Sequence, residues 1–217
     1  MEHTNASPAI HFHSATSLKG SIEVAGDKSI SHRSLIIGSQ GIGKCTIYGL
    51  LEGEDVLSTK SALEKLGVSI TKQPNGSWEV IGNGLGSLNA PSDILDLGNA
   101  GTGARLLMGL VSSYDFISFF NGDASLRSRP MKRVIAPLTQ MGAKITCSQQ
   151  DQLPCTVKGG NLLPMEYTLP VASAQVKSAI LLAALNSTGT TIIHEPSPSR
   201  DHTERMLNFF GYKCDIT

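Results

Sequence analysis

The chain has 217 residues, enough for one large domain or two small ones. Its 18 Lys and Arg balance 18 Asp and Glu, so it lacks the basic excess that neutralising a nucleic-acid backbone requires, and no nucleic-acid partner is expected. With 40% hydrophobic and 17% charged residues it suits a globular core built mainly from aliphatic side chains, since aromatics make up only 5%.

Residues 1–15 read as an N-terminal tail. Met1–Ser14 has neither a basic n-region nor an apolar h-region, so it is not expected to be a signal peptide. From there the chain repeats itself. A helix opening at Ser29, with the apolar run Ser34–Gly38, is followed by a strand at Cys45–Tyr48 and a helix at Asp55–Leu66. Gly67 then caps that helix and the chain passes into a strand at Val68–Ile70 and another at Trp78–Ile81. The pattern recurs with a helix opening at Thr102 (apolar run Leu106–Val111), a strand at Phe116–Phe120 and a helix at Met131–Met141. Gly142 caps it, and strands Ala143–Ile145 and Cys155–Val157 follow. A third pass opens at Ser173, with the run Ala179–Leu185, a strand at Thr190–His194, a helix at Thr203–Phe210, the cap Gly211 and a strand at Tyr212–Cys214. Each capping glycine lies about 40 residues after the hydroxyl residue that opens its repeat, and each opening is followed within a turn by a cation: Arg33, Arg105 or Lys177. A unit of about 70 residues with two helices and alternating strands is a supersecondary module rather than a solenoid repeat. The units fall at about 25–84, 85–160 and 161–217, and the third stops before its closing strand, so the chain is expected to be cut within its own repeat.

The longest apolar run, Ala179–Leu185, is far short of the roughly 20 residues of a spanning helix, so no membrane partner is expected. Cys45, Cys147, Cys155 and Cys214 show no CxxC spacing and read as reduced, mostly buried thiols of a cytoplasmic protein. His11 and His13 have no partner at ligand spacing, and no metal site is expected.

The start of each repeat's first helix carries the chemistry. Unpaired N–H groups and the positive dipole end favour an anion there. Lys28-Ser29 and Ser173-Ala174-Gln175 combine a capping hydroxyl with nearby charge, and Asn99–Gly103 is a glycine-containing turn that lets a ligand approach the backbone. A serine at one such position is usually only a cap; three at equivalent places can converge on a ligand with several negative groups. Arg127–Pro130 and Ser199–His202 add guanidinium groups between strand and second helix. Gly38–Lys44 matches GxxxxGK, but Cys45 replaces the required Ser or Thr and the context is helix to strand, so it reads as a turn.

At these residues the sequence resembles 5-enolpyruvylshikimate-3-phosphate synthase, in its class II branch, known for glyphosate-insensitive bacterial members. The motifs are Gly26–Arg33, Gly98–Thr102, Gly122–Met131, Ala172–Gln175 and Arg200–Glu204, in order over residues 16–217. The resemblance implies an α/β fold of repeated βαβαββ units, an inside-out α/β barrel. The chain corresponds to the first half only, the shikimate-phosphate-binding domain at 25–217. A first strand at 16–24, around Leu18–Val24, would pack with a second domain. The implied reaction, in chorismate and aromatic amino-acid biosynthesis, moves the enolpyruvyl group of phosphoenolpyruvate to the 5-hydroxyl of shikimate 3-phosphate, with no cofactor. By motif, Lys28, Ser29 and Arg33 face the shikimate ring and carboxylate, while Ser173, Ala174 and Arg200 take its phosphate. Gln175 spans both substrates. Lys28, Gly101 and Arg129 take phosphoenolpyruvate, with Lys28 also the one catalytic residue carried over. The general acid and base belong to the second half, so the chain alone is expected to lack appreciable turnover and to act as a binding half-site. Gly101 stands where class II members carry a methyl that crowds glyphosate. The sister transferase acting on UDP-N-acetylglucosamine fits poorly, since it has Asn where Ser29 stands and usually a cysteine in the loop matching Asp123–Met131.

Overall fold

The computed structural model describes residues 10–14 and 17–216. Most of the expected N-terminal tail, and part of the segment read as lacking a signal peptide, lies outside them.

In the first repeat, helix α1 (Lys28–Gly38) is capped by the Asp27 carboxylate, which accepts from the Ile30 N–H at 2.8 Å. Strand β1 (Ile42–Ile47), helix α2 (Glu54–Lys65) and strands β2 (Ser69–Lys72) and β3 (Trp78–Asn83) follow. Helix α2 starts with Glu54 and Asp55 and ends with Lys65, the charge order that complements its dipole. The second repeat contains β4 (Leu95–Asp96), α3 (Gly101–Val111), β5 (Ile117–Asn121), a short α4 (Ala124–Arg127), α5 (Lys132–Gln140), β6 (Lys144–Cys147) and β7 (Cys155–Lys158). The third has β8 (Glu166–Thr168), α6 (Ala174–Ala184), β9 (Ile192–His194) and α7 (His202–Phe209).

The sheets reproduce the repeat. β3 pairs antiparallel with both β1 and β2, giving the order β1-β3-β2; the second sheet runs β4-β5-β7-β6, and β8 pairs with β9. The β4–β5 and β8–β9 pairs are the parallel ones, so each of these units opens with a strand lying beside the one after its first helix. β1 has no such partner among the described residues. No strand forms over Leu18–Val24, and Leu18, Ile22 and Val24 are exposed. No strand forms at Tyr212–Cys214 either: its counterparts β2 and β6 exist by pairing with β3 and β7, and the third repeat here holds no such strand.

The first helices of the three repeats, α1, α3 and α6, form the centre. Ten of the eleven α3 residues are buried, and Leu35, Ile36, Ile37, Leu106, Leu107, Ile180 and Leu182 are wholly inaccessible. Gly109 makes the close α3–α6 crossing possible: a β-carbon there would lie 2.3 Å from the Ala179 carbonyl oxygen. The three expected helix-capping glycines, Gly67, Gly142 and Gly211, have φ of 90°, 113° and 85°, the left-handed conformation glycine adopts cheaply.

Two cysteines depart from the reduced-thiol expectation. Cys147 and Cys155 face each other across β6 and β7 and form a disulfide, while Cys45 and Cys214 are free. The two are separated by a hairpin loop, so strand register, which sequence spacing does not display, brings them together. Gly38–Lys44 runs from the end of α1 through a turn into β1, and Lys44 pairs with Glu79 at 2.9 Å, as a turn and not a phosphate loop would.

Candidate functional site

Helices α1, α3, α6 and α7 present their N-terminal ends to a pocket of about 50 Å³. It is lined by Ser29 and Arg33 of α1, Thr102 of α3, and Ala174 and Gln175 of α6; Arg200 comes from the connection before α7 and His202 is the first residue of that helix. Positions spread over more than 170 residues meet because the repeats place their first helices side by side. No carboxylate lines the pocket, whereas two guanidinium groups do.

Arg33 is almost wholly buried. Its Nε donates to Thr203 Oγ1 at 2.7 Å, Nη2 to Ser178 Oγ at 2.8 Å, and Nη1 to the Ser29 carbonyl at 3.0 Å. These use three of the five guanidinium N–H groups, leaving two for a ligand. Burial pulls its pKa below the ordinary value and the nearby Glu204 opposes that. Arg200 is exposed and reaches across to Ser29, its Nη1 donating to Ser29 Oγ at 3.3 Å. Ser173 caps α6, its Oγ accepting from the Val176 N–H at 3.5 Å. Gln175 donates from Nε2 to Thr102 Oγ1 at 2.9 Å, joining the mouths of α6 and α3.

Lys28 stands beside this pocket in sequence and forms an ion pair with Asp55 at the start of α2. His32, one turn further along α1, is fully buried with Nδ1 2.8 Å from Thr59 Oγ1 and Nε2 without a partner. Burial, chiefly, lowers its pKa to about 4, with Asp55 opposing and Lys28 and Arg33 adding to the fall.

The mouth of α3 forms a second basic patch. A β-carbon on Gly101 would lie 2.9 Å from Arg129 Nη1 and 3.0 Å from Arg105 Nη1, so both guanidinium groups converge on that glycine. Arg129 is held by Asn99 Oδ1 at 2.5 Å and Ser125 Oγ at 3.1 Å. Arg105 donates to the Gly101 and Pro130 carbonyls at 3.1 and 3.2 Å, and its buried Nε has no partner. Burial, with repulsion from Arg133 and Arg129, brings the Arg105 pKa down to about 10. An anion at this helix start would offset that repulsion.

The pocket thus gathers Ser29, Arg33, Ala174, Gln175 and Arg200. Gly101 and Arg129 form the adjacent patch, and Ser173 acts as a cap. Lys28 is tied to Asp55. Sequence reading missed Thr102 and His202 as pocket walls, Asp55 as the partner of Lys28, and Arg105 as the second arginine at Gly101. Arg105 had a visible signal, its place one turn after the helix opening in step with Arg33 and Lys177. The described residues hold no cluster of three or more His, Cys, Asp or Glu suited to a metal, and no helix among them is long and apolar enough to cross a membrane.

Comparison with known proteins identifies the family. The family model for EPSP synthase (3-phosphoshikimate 1-carboxyvinyltransferase) matches residues 13–217. The 3-phosphoshikimate 1-carboxyvinyltransferase of Acidiphilium cryptum is 49% identical over 217 residues, covering 100% of this chain and 49% of that protein. That of Novosphingobium aromaticivorans is 55% identical over 200 residues, covering 92% of this chain and 45% of its own length. The solved EPSP synthase of Acinetobacter baumannii superposes with a TM-score of 0.88 at 47% identity, covering 91% of this chain and 45% of the solved one. The chain spans about half the length of the relatives it matches. On its sequence, its repeated α/β architecture, complete as βαβαββ in the second unit, and these matches, the chain belongs to the EPSP synthase family.

Proposed function

We propose that this chain supplies the first half of a site that transfers the enolpyruvyl group of phosphoenolpyruvate to the 5-hydroxyl of shikimate 3-phosphate, releasing phosphate. The observation that carries the reading is the small, carboxylate-free pocket in which Ser29, Arg33, Ala174, Gln175 and Arg200 meet. Shikimate 3-phosphate bears a carboxylate and a phosphate. Ser29 and the two uncommitted Arg33 N–H groups suit the carboxylate, while Ser173, Ala174 and Arg200 at the mouths of α6 and α7 suit the phosphate. Phosphoenolpyruvate goes to the Gly101 mouth with Arg129, and Lys28 lies towards the reacting hydroxyl. The Gln175–Thr102 contact joins the two subsites and supports the role of Gln175 between the substrates.

The chemistry needs a proton removed from the 5-hydroxyl and one delivered to the methylene carbon of phosphoenolpyruvate as the C–O bond forms, then a proton taken back from that carbon as phosphate leaves, each by a group within about 2.6–3.2 Å. The groups assigned here to the ligands are arginines, hydroxyls, an amide and an ammonium paired with Asp55, so the acid and base are assigned to a second-half domain. That domain would also receive the segment 16–24 as a strand. A cytoplasmic location goes with this reading.

Calorimetric titration of the chain with shikimate 3-phosphate, with shikimate as control, tests the pocket. Three charge-assisted contacts of about 1.5 kcal/mol each correspond to a dissociation constant near millimolar. Binding that needs the phosphate and weakens in Arg200→Ala is expected. Equal binding of shikimate and its phosphate would contradict the assignment of Arg200.

A further inference from the structure

Lys177 is a buried cation placed one turn into α6, away from the pocket lining, with its side chain only 8% exposed. Its ammonium contacts two carboxylates from different elements: Glu195 Oε2 at 2.5 Å, just after β9, and Glu204 Oε1 at 2.6 Å, within α7. Glu195 in turn accepts from Ser199 Oγ at 2.5 Å, which closes the connection from 195 to 199 into a ring, and Arg200 is the next residue. Among the described residues, no backbone hydrogen bond joins residues 195–200 to another element. The tether on one side is therefore Lys177, and on the other the contact of Arg200 with Ser29.

We propose that Lys177 is a positioning residue that, by gripping Glu195 and Glu204 together, fixes the β9–α7 connection so that Arg200 is presented to the anion pocket without Lys177 touching the ligand. The proposal rests on the reading of that pocket as the shikimate-phosphate subsite. A point cation with three donors suits two carboxylates arriving from different directions. Burial alone would pull the Lys177 pKa down, but its bonds to Glu195 and Glu204 outweigh that and hold it above the ordinary value, so the ammonium persists at neutral pH.

The test compares the wild-type chain with Lys177→Met and Lys177→Arg, using two readouts. One is the rate of tryptic cleavage after Arg200, followed by mass spectrometry, against cleavage after Arg105 in the buried α3, which reports global opening. The other is affinity for shikimate 3-phosphate. Lys177→Met is expected to speed cleavage after Arg200 at least tenfold while leaving cleavage after Arg105 within twofold, and to weaken binding at least tenfold. Lys177→Arg is expected to stay within threefold of wild type in both. Unchanged cleavage after Arg200, or equal acceleration at Arg105, would overturn the proposal. If Lys177→Met does not fold, Glu195→Gln, which removes only the charge on the loop side, decides by the same readouts. A wild-type chain that binds no shikimate 3-phosphate would overturn the subsite reading, while the cleavage ratio still decides the tether.

Discussion

His32 and Arg33 are sequence neighbours and both are buried, yet their surroundings drive them to opposite charge states. Arg33 keeps its charge among Thr203, Ser178, the Ser29 carbonyl and nearby Glu204. His32 has one hydroxyl partner and an unpaired Nε2, so it is held neutral with its pKa lowered to about 4. In the unfolded chain a histidine titrates near 6.5, so between these values the unfolded state binds more protons and stability falls as the pH falls. By pH 4 the loss from this group amounts to about 3 kcal/mol. Chemical denaturation at pH 7 and pH 4 is expected to show a smaller drop in His32→Gln than in wild type. An identical drop in both would contradict the assignment. At Gly101 the deciding quantity is space. A methyl there must displace the ends of Arg129 and Arg105 by a few tenths of an ångström. In a completed enzyme, Gly101→Ala is expected to weaken glyphosate more than phosphoenolpyruvate, read from inhibition constant against KM; equal losses would contradict this. His32's isolation and the convergence of two arginines on Gly101 were invisible in sequence because each arises from packing between different elements of one repeat: α1 against α2 for His32, and Arg129, after α4, folded back on the start of α3 for Gly101. The pocket residues Ser29, Arg33 and Gln175, by contrast, were legible, since each sits at a helix opening that repeats in register.

Among the elements, what could be read depended on length. Helices α2, α5 and α7 were located to within about a residue at each end because a capping glycine and an apolar period mark them. β4 and β8, two and three residues long, left no periodic signal and were missed. The expectation at Tyr212–Cys214 failed for a different reason, since a strand is defined by its partner and none is present among the described residues. The β6–β7 hairpin is stapled by Cys147–Cys155. A reducing compartment keeps such a pair as thiols, so its contribution is specific to the oxidised protein. Closing so short a loop stabilises by about 2–3 kcal/mol on the chain-entropy account. Denaturant unfolding of the oxidised chain with and without reductant is expected to differ by that amount, and the difference should vanish in Cys147→Ser. A reductant effect that persists in Cys147→Ser would place its origin elsewhere.

At the scale of the whole molecule, three equivalent helix openings lean together on a common centre, and the charge gathered there suits anionic ligands. The groups proposed above to hold ligand come from every repeat: Ser29 and Arg33 from the first, Gly101 and Arg129 from the second, Gln175 and Arg200 from the third. Repeat symmetry explains why a chain with no net charge still concentrates cationic groups at one end of its helices. Under the proposed function the proton-transferring groups come from a second-half domain, such as relatives about twice this length have room for. The most direct test of that division is phosphate release from phosphoenolpyruvate and shikimate 3-phosphate, measured for this chain alone and then mixed with the separately produced second half of a relative. No release above background alone, and release on mixing that is lost in Arg200→Ala, is the expected result. Turnover by the chain alone at the rate of a full-length enzyme would contradict the half-site assignment.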